Sequence, residues 1–335
     1  MAAEGARPGV TSMHFAPWLA TALVLTANPS LSQPVETVPP AIDGTTTTDE
    51  VAIGNRGDRM TVDVSVGEKG PYRFLVDTGS ERTVISRQLA ERLSLAGGRN
   101  TVLHSVLGAN SVATVDIPRL QVSNSVISVI DAPALEASNI GADGLLGLDG
   151  LRSKRVIFDF KNQTMSITPG RQRVERAEPS DGETIVVRAK SRQGRLIFTQ
   201  ARVDGQDVAV IIDTGSQFTV GNLALKAALM KRHLWTYPER LTIESVTGEK
   251  LVADVSVLGR LDVDAVHLDK LPVAFADAHI FKKLNLHKKP ALLLGMNAMR
   301  AFDKISIDFA AKKVRFVLPQ TGMRDDVRMA SAGSL

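Results

Sequence analysis

Phe74-Leu75-Val76-Asp77-Thr78-Gly79-Ser80 and Val210-Ile211-Ile212-Asp213-Thr214-Gly215-Ser216 are the two stretches that decide how this chain folds. Each is an apolar run that ends on Asp and turns at Gly. A short apolar run bounded by turn residues reads as a buried strand. The strand end then carries a carboxylate, and the Gly lets other backbone come close. A single copy is a hairpin turn that uses Gly, Ser and Thr for ordinary turn chemistry. Two copies point to an internal repeat.

The repeat runs far beyond the Asp. Thr83-Val84-Ile85 returns as Thr219-Val220, and Ser105-Val106-Leu107-Gly108 as Ser245-Val246-Thr247-Gly248. Gly144-Leu145-Leu146-Gly147 returns as Leu292-Leu293-Leu294-Gly295, and Ile157-Phe158-Asp159-Phe160 as Ser306-Ile307-Asp308-Phe309. The order is the same in both copies. Steps of 31 and 39 residues separate the landmarks Asp77, Gly108 and Gly147, and steps of 35 and 47 separate Asp213, Gly248 and Gly295. Two lobes follow, 56–170 and 183–319, joined by a polar linker, 171–182, that contains Pro179.

Each lobe reads as mainly β. Met60, Val62, Val64 and Val66 alternate along one strand, and Gly67-Glu68-Lys69-Gly70 turns the chain back toward Val76. Ser86 is placed to cap a short helix through Leu93. Ser111 to Ile117 and Leu120 to Ile130 read as a hairpin broken at Pro118. In the second lobe, Leu196 to Val203, Val208 to Ile212 and Leu251 to Leu258 read as strands, with a helix over Leu223 to Lys231.

Composition removes several classes of function. The 335 residues are 44% hydrophobic and 23% charged, which suits globular lobes with real cores. Cysteine is absent, so there is no disulfide framework, zinc ribbon or thiol nucleophile. Aromatics are 4%, and the net charge of +4 is spread without a basic stripe, so no nucleic-acid partner is expected. His14, His104, His233, His267, His279 and His287 lack a metal-ligand spacing. They read as surface or packing residues, and no metal or cofactor is expected. Lys282-Lys283 and Lys288-Lys289 read as a solvated loop.

Residues 1–32 read as an export signal. An apolar stretch, Phe15 to Leu25, precedes Ser30-Leu31-Ser32, a small-x-small pattern with a cut before Gln33. The stretch is shorter than the roughly 20 residues a membrane span needs. A periplasmic or secreted location is the expectation. Residues 33–55 read as a linker and 320–335 as a tail.

In these motifs the chain resembles the retropepsin-like and pepsin-like aspartic peptidases. Both families bring two Asp-Thr-Gly loops together and place an apolar-apolar-Gly segment under each. Leu145-Leu146-Gly147 and Leu293-Leu294-Gly295 match that second signature. The resemblance covers 56 to 319 and implies a bacterial-type tandem, two pseudo-twofold-related lobes in one chain. It implies that Asp77 and Asp213 are the catalytic pair of an endopeptidase, activating one water against a polypeptide substrate. Thr78 and Thr214 would interlock the loops, Gly79 and Gly215 would lend backbone N–H groups, and Ser80 and Ser216 would hold the outer carboxylate oxygens. Gly108 and Gly248 mark the flap candidates, although neither segment carries the tyrosine of the pepsin-like flap. Two alternatives stand beside this reading. One is a non-catalytic peptide-binding protein on the same fold, and the other is pairing of lobes between chains. The length of the linker favours a monomer with intramolecular pairing.

Overall fold

The structure is a computed structural model that describes residues 50–52, 54–56, 59–105, 108–122, 125–170, 183–234 and 239–319. The 1–32 export signal, residues 33–49 of the linker, the 171–182 linker and the 320–335 tail lie outside the described residues.

Each lobe is a sheet closed on itself. In the first, the order is Gly54–Arg56, Arg59–Val66, Lys69–Val76, Gly144–Leu146, Val84–Ser86, Ser125–Leu135 and Thr114–Val122. Arg59–Val66 also pairs with Thr114–Val122, which closes the ring. The second lobe repeats this order with Arg195–Val203, Gln206–Ile212, Ala291–Leu294, Thr219–Gly221, Val266–Phe275 and Lys250–Val263, closed by the first and last of these. Lys190–Arg192 and Glu239–Glu244 flank it. Alternation does what the sequence predicts: Met60, Val62, Val64 and Val66 are buried while Asp63 is exposed.

The short helices begin at side-chain caps. Ser86 accepts the Leu89 amide to open Arg87–Arg92, and Asn222 accepts the Leu225 amide to open Leu223–Lys231. Both helices bury a Leu pair or a Leu–Ala pair against their lobe.

A third sheet joins the lobes. Its order is Glu50–Ala52, Thr164–Pro169, Lys154–Asp159, Lys304–Asp308, Lys313–Val317 and Thr184–Arg188. The last segment of each repeat thus pairs with the other, antiparallel, with Ile157 opposite Ser306. Ion pairs Arg155–Asp308 (3.4 Å) and Lys304–Asp159 (3.1 Å) mark the two ends of that pairing. One apolar cluster runs from Met60 and Phe74 in the first lobe through Phe158 to Phe198 and Phe316 in the second. The lobes therefore share a core as well as a sheet, which holds the two Asp loops in a fixed relation.

Two expectations need correction. The end of the 33–55 segment is not a plain linker. Glu50–Ala52 pairs with Thr164–Pro169 and so covers what would be an open sheet edge, and Gly54–Arg56 pairs with Arg59–Val66. Pro118 does not break its strand either. Thr114–Val122 runs through it with shifts of register on either side of Ile117. Such irregularities take an unpaired position, which is what a residue without an N–H requires.

Candidate active site

Asp77 follows the buried strand end Phe74-Leu75-Val76, and Gly144–Leu146 lies parallel beside it. The Asp77 amide donates to the Leu146 carbonyl at 3.0 Å, as the Asp213 amide does to Leu294 at 3.0 Å. Gly147 and Gly295 sit against the backbones of Arg82 and Phe218, where a Cβ would collide with a carbonyl group. Only Gly fits that approach. The Thr83 and Thr219 hydroxyls accept the Gly147 and Gly295 amides at 3.1 and 3.2 Å. They donate in turn to Asp149 (2.7 Å) and Asn297 (2.8 Å). Each loop is pinned to its own lobe by the same set of bonds.

Thr78 and Thr214 pin the loops to each other. The Thr78 amide donates to the Thr214 hydroxyl at 3.0 Å, and the Thr214 amide to the Thr78 hydroxyl at 3.1 Å. The hydroxyls donate across to Ile212 (3.3 Å) and Val76 (2.8 Å) carbonyls. Bonds that run from i to j and from j to i are the mark of a local twofold. Both side chains are buried, so these bonds work away from water.

The interlock brings the carboxyls of Asp77 and Asp213 together in the cleft, close enough for each to act on the proton affinity of the other. Gly79 and Gly215 each face the opposite Asp so closely that a Cβ would overlap its carboxyl group. The Gly79 and Ser80 amides donate to Asp77 Oδ1 at 2.8 and 2.9 Å, and the Gly215 amide to Asp213 Oδ1 at 2.9 Å. Burial pushes the affinity of both carboxyls for a proton upward. At Asp77 this is countered by the bond from Asp213, the Gly79 amide, the Arg195 charge and the Ser80 amide. At Asp213 the Asp77 charge and hydrogen bond add to burial, and the Gly215 amide and Arg195 offset only part. Both titrate above the usual carboxylate range, Asp213 well above it. Like charges this close cannot both ionise at ordinary pH, so the pair titrates as a unit that shares one proton.

The serines behave differently from expectation. The Ser80 hydroxyl donates to the Arg82 carbonyl at 2.7 Å, and the Ser216 hydroxyl to Phe218 at 2.6 Å. Each proton is spent within its own turn, and Ser80 reaches Asp77 through its amide instead. A hydroxyl two residues from a turn carbonyl finds that partner first.

Gly108 and Gly248 lie at the tips of two hairpins above the cleft. One is Thr101–His104 with Ala109–Val112, and the other is Glu239–Glu244 with the start of Lys250–Val263. The Gly248 φ is +83°, and the Ser245 carbonyl accepts its amide at 2.9 Å. The tips meet. Glu249 accepts from Ser105 Oγ and Asn110 Nδ2 of the other hairpin, both at 3.1 Å, and from Thr247 Oγ1 at 3.2 Å. Val246 packs on the first lobe's cluster of Leu75, Val84 and Leu103. The cleft between floor and hairpins is about 420 Å³ and is lined by both Asp77 and Asp213.

Several residues here escaped the sequence reading. His104 and His279 are not ordinary surface residues. Their rings stack at 5.2 Å across the lobes, with Nδ1 of one 3.0 Å from Nε2 of the other. Burial, the Lys283 charge and His279 hold His104 below the usual imidazole range. Lys283 is not part of a solvated loop, since it pairs with Glu81 at 3.0 Å while 18% exposed. Glu81 also takes Arg195 at 2.8 Å. Burial pushes Glu81 upward, but the Arg195 and Lys283 bonds outweigh it and hold the carboxyl low. Among the described residues no cluster of three or more His, Asp or Glu is placed to hold a metal ion. No helix among them is long and apolar enough to cross a membrane.

Comparison with known proteins agrees with the doubled geometry. No curated protein matches the chain. The profile of the family described as aspartyl protease matches residues 62–149 and, separately, 199–298. The two matches cover more than half of the chain, and each contains one Asp-Thr-Gly-Ser loop and the buried Gly segment beneath it. The chain belongs to the aspartyl protease family.

Proposed function

We propose that this chain is an endopeptidase that hydrolyses peptide bonds with a water activated by Asp77 and Asp213. The observation that carries the proposal is the paired carboxyls. They come from equivalent loops of one chain, face one cleft together, and differ in surroundings, with two loop amides on Asp77 and one on Asp213. One base and one acid side by side are what addition of water to an amide requires.

The steps follow from that allocation. Asp77, ionised, takes a proton from a water held between the carboxyls. The oxygen adds to the scissile carbonyl carbon, and Asp213 gives its proton to the carbonyl oxygen. The product is a neutral gem-diol, with Asp77 now protonated and Asp213 ionised. Asp77 then passes its proton to the amide nitrogen, and Asp213 takes one from a gem-diol hydroxyl as the C–N bond breaks. Both carboxyls return to their starting states.

The substrate is an extended polypeptide lying between floor and hairpins. Val84, Leu103 and Leu145 line one side of the cleft and Val220, Ile280 and Leu293 the other, so apolar side chains next to the scissile bond suit it. One chain supplies both carboxyls, and the active species is a monomer. Digestion of a peptide library by the wild type and by Asp213→Asn tests the proposal. Cleavage by the wild type alone is expected. Binding of peptides without cleavage would instead make the protein a peptide-binding relative of the family.

A further inference from the structure

Arg195 opens a strand of the second lobe, yet its guanidinium ends under the active loop of the first. It is 3% exposed. Nε donates to the Gly79 carbonyl at 2.9 Å, and Nη2 donates to the same oxygen. Nη1 donates to Glu81 Oε1 at 2.8 Å, and Glu81 is braced from behind by Lys283 at 3.0 Å. A buried Arg is expensive unless each donor is used, and here the fork is spent on the loop.

The carbonyl that Arg195 grips belongs to the Gly79–Ser80 peptide. The N–H of that same peptide is the Ser80 amide, which donates to Asp77 Oδ1 at 2.9 Å. An amide whose carbonyl accepts from a cation is a stronger donor at its N–H, because the bonds polarise one another. Held at both ends, the peptide also cannot tilt away from the carboxylate. Charge and orientation act in the same direction and favour an ionised Asp77.

The two loops differ in sequence at the point where this anchoring begins. They read Asp77-Thr78-Gly79-Ser80-Glu81 and Asp213-Thr214-Gly215-Ser216-Gln217. Four identical residues are followed by an anion in one copy and a neutral amide in the other. Among the described residues, two loop amides reach Asp77 and one reaches Asp213.

We infer that Arg195 is a positioning residue for the carboxyl pair: it grips the Gly79–Ser80 peptide from the opposite lobe and so fixes Asp77 as the ionised partner. This rests on the peptidase reading, which it deepens by naming what makes the pair unequal. Arg195 acts through the peptide, because its guanidinium donates to Gly79 and Glu81 and not to either Asp. The other charged or titratable groups around the pair are Glu81, Lys283, His104, His279 and Glu244, and the variants below leave all of them in place.

The test compares wild type with Arg195→Gln and Arg195→Lys, each checked for folding. Carboxyl-carbon NMR titration of the free protein, labelled at Asp, follows the pair without reference to activity. In Arg195→Gln the lower step of the pair moves to higher pH. On any cleaved peptide, kcat falls roughly tenfold to a hundredfold, the size of one hydrogen bond to a charged group. KM is nearly unchanged, and the acidic limb of kcat/KM moves up with the titration. Arg195→Lys keeps the charge without the fork and shifts the step less. Should Arg195→Gln not fold, the Lys variant decides alone. A lower step that stays in place in a folded variant overturns the inference and leaves Arg195 as a staple between lobes. If the step moves while the wild type cleaves no peptide, the inference stands and the peptidase reading falls.

Discussion

Thr78 and Thr214 exchange amide-to-hydroxyl hydrogen bonds of 3.0 and 3.1 Å across the interface between the lobes. This makes the two Asp loops one mechanical body. Each hydroxyl both accepts an amide and donates to a carbonyl, so neither can be removed alone without stranding a buried partner.

Thr78→Val is the corresponding test. Valine has the same shape but leaves the Thr214 amide without its acceptor and the Ile212 carbonyl without its donor. Orphaned buried groups of this kind cost about 1–3 kcal/mol each. Chemical denaturation is expected to show a loss of that order, with Thr78→Ser nearly neutral because the hydroxyl remains. Cleavage should fall in the valine variant even where it stays folded, since the carboxyls lose their common register.

The carboxyl pair works against stability at neutral pH. Burial raises both Asp77 and Asp213 above the unfolded carboxyl range. The folded chain therefore binds more protons than the unfolded chain at pH values above that range. Stability from this source is fully present below the unfolded carboxyl value, about pH 4, and is lost as pH rises through the folded value. Asp213→Asn removes the loss and keeps an N–H donor for Asp77. Its Tm at pH 7 is expected to exceed that of wild type by roughly 1–2 °C, about 1 kcal/mol in a chain of this size. The difference should close below about pH 4. A variant less stable than wild type at both pH values would contradict this.

Glu249 ties the hairpin roof in the opposite sense. The Asn110 bond lowers its proton affinity, burial opposes this, and the Ser105 and Thr247 bonds add to the lowering. A depressed carboxyl contributes stability above its unfolded value and loses it as pH falls through the folded one. Protection from hydrogen exchange over Thr101–His104 and Ala109–Val112, relative to the intrinsic rate at each pH, should be high at neutral pH and fall in acid below the usual carboxylate range. Glu249→Gln should show the lowered protection at neutral pH already. Equal protection in both proteins at neutral pH would remove the tie.

Much of this arrangement was legible because it is duplicated. Asp77 and Asp213, Thr78 and Thr214, and the Gly segments under them recur in order, and a repeated motif fixes its own meaning. The helix over Leu223–Lys231 was readable from local pattern alone. What escaped comes from long range. Strand alternation says that Ile157 and Ile307 lie in strands, but not that the two strands pair with each other to join the lobes. Arg195 and Glu81 are 114 residues apart, and His104 and His279 are 175 apart. Each alone looks like a surface residue, and only the closed fold gives it a partner. The Ser80 hydroxyl failed for a local reason. A turn offers a nearer carbonyl than the carboxylate across it.

Shared action of Asp77 and Asp213 is best tested by kcat/KM on one cleaved peptide for wild type, Asp77→Asn, Asp213→Asn and the double variant. One water between two carboxyls has no use for either carboxyl alone. Each single change is expected to abolish measurable turnover, and the double variant should be scarcely worse than either. Retained turnover in either single variant, or losses that add in the double, would mean that the two carboxyls do not act as one catalytic unit.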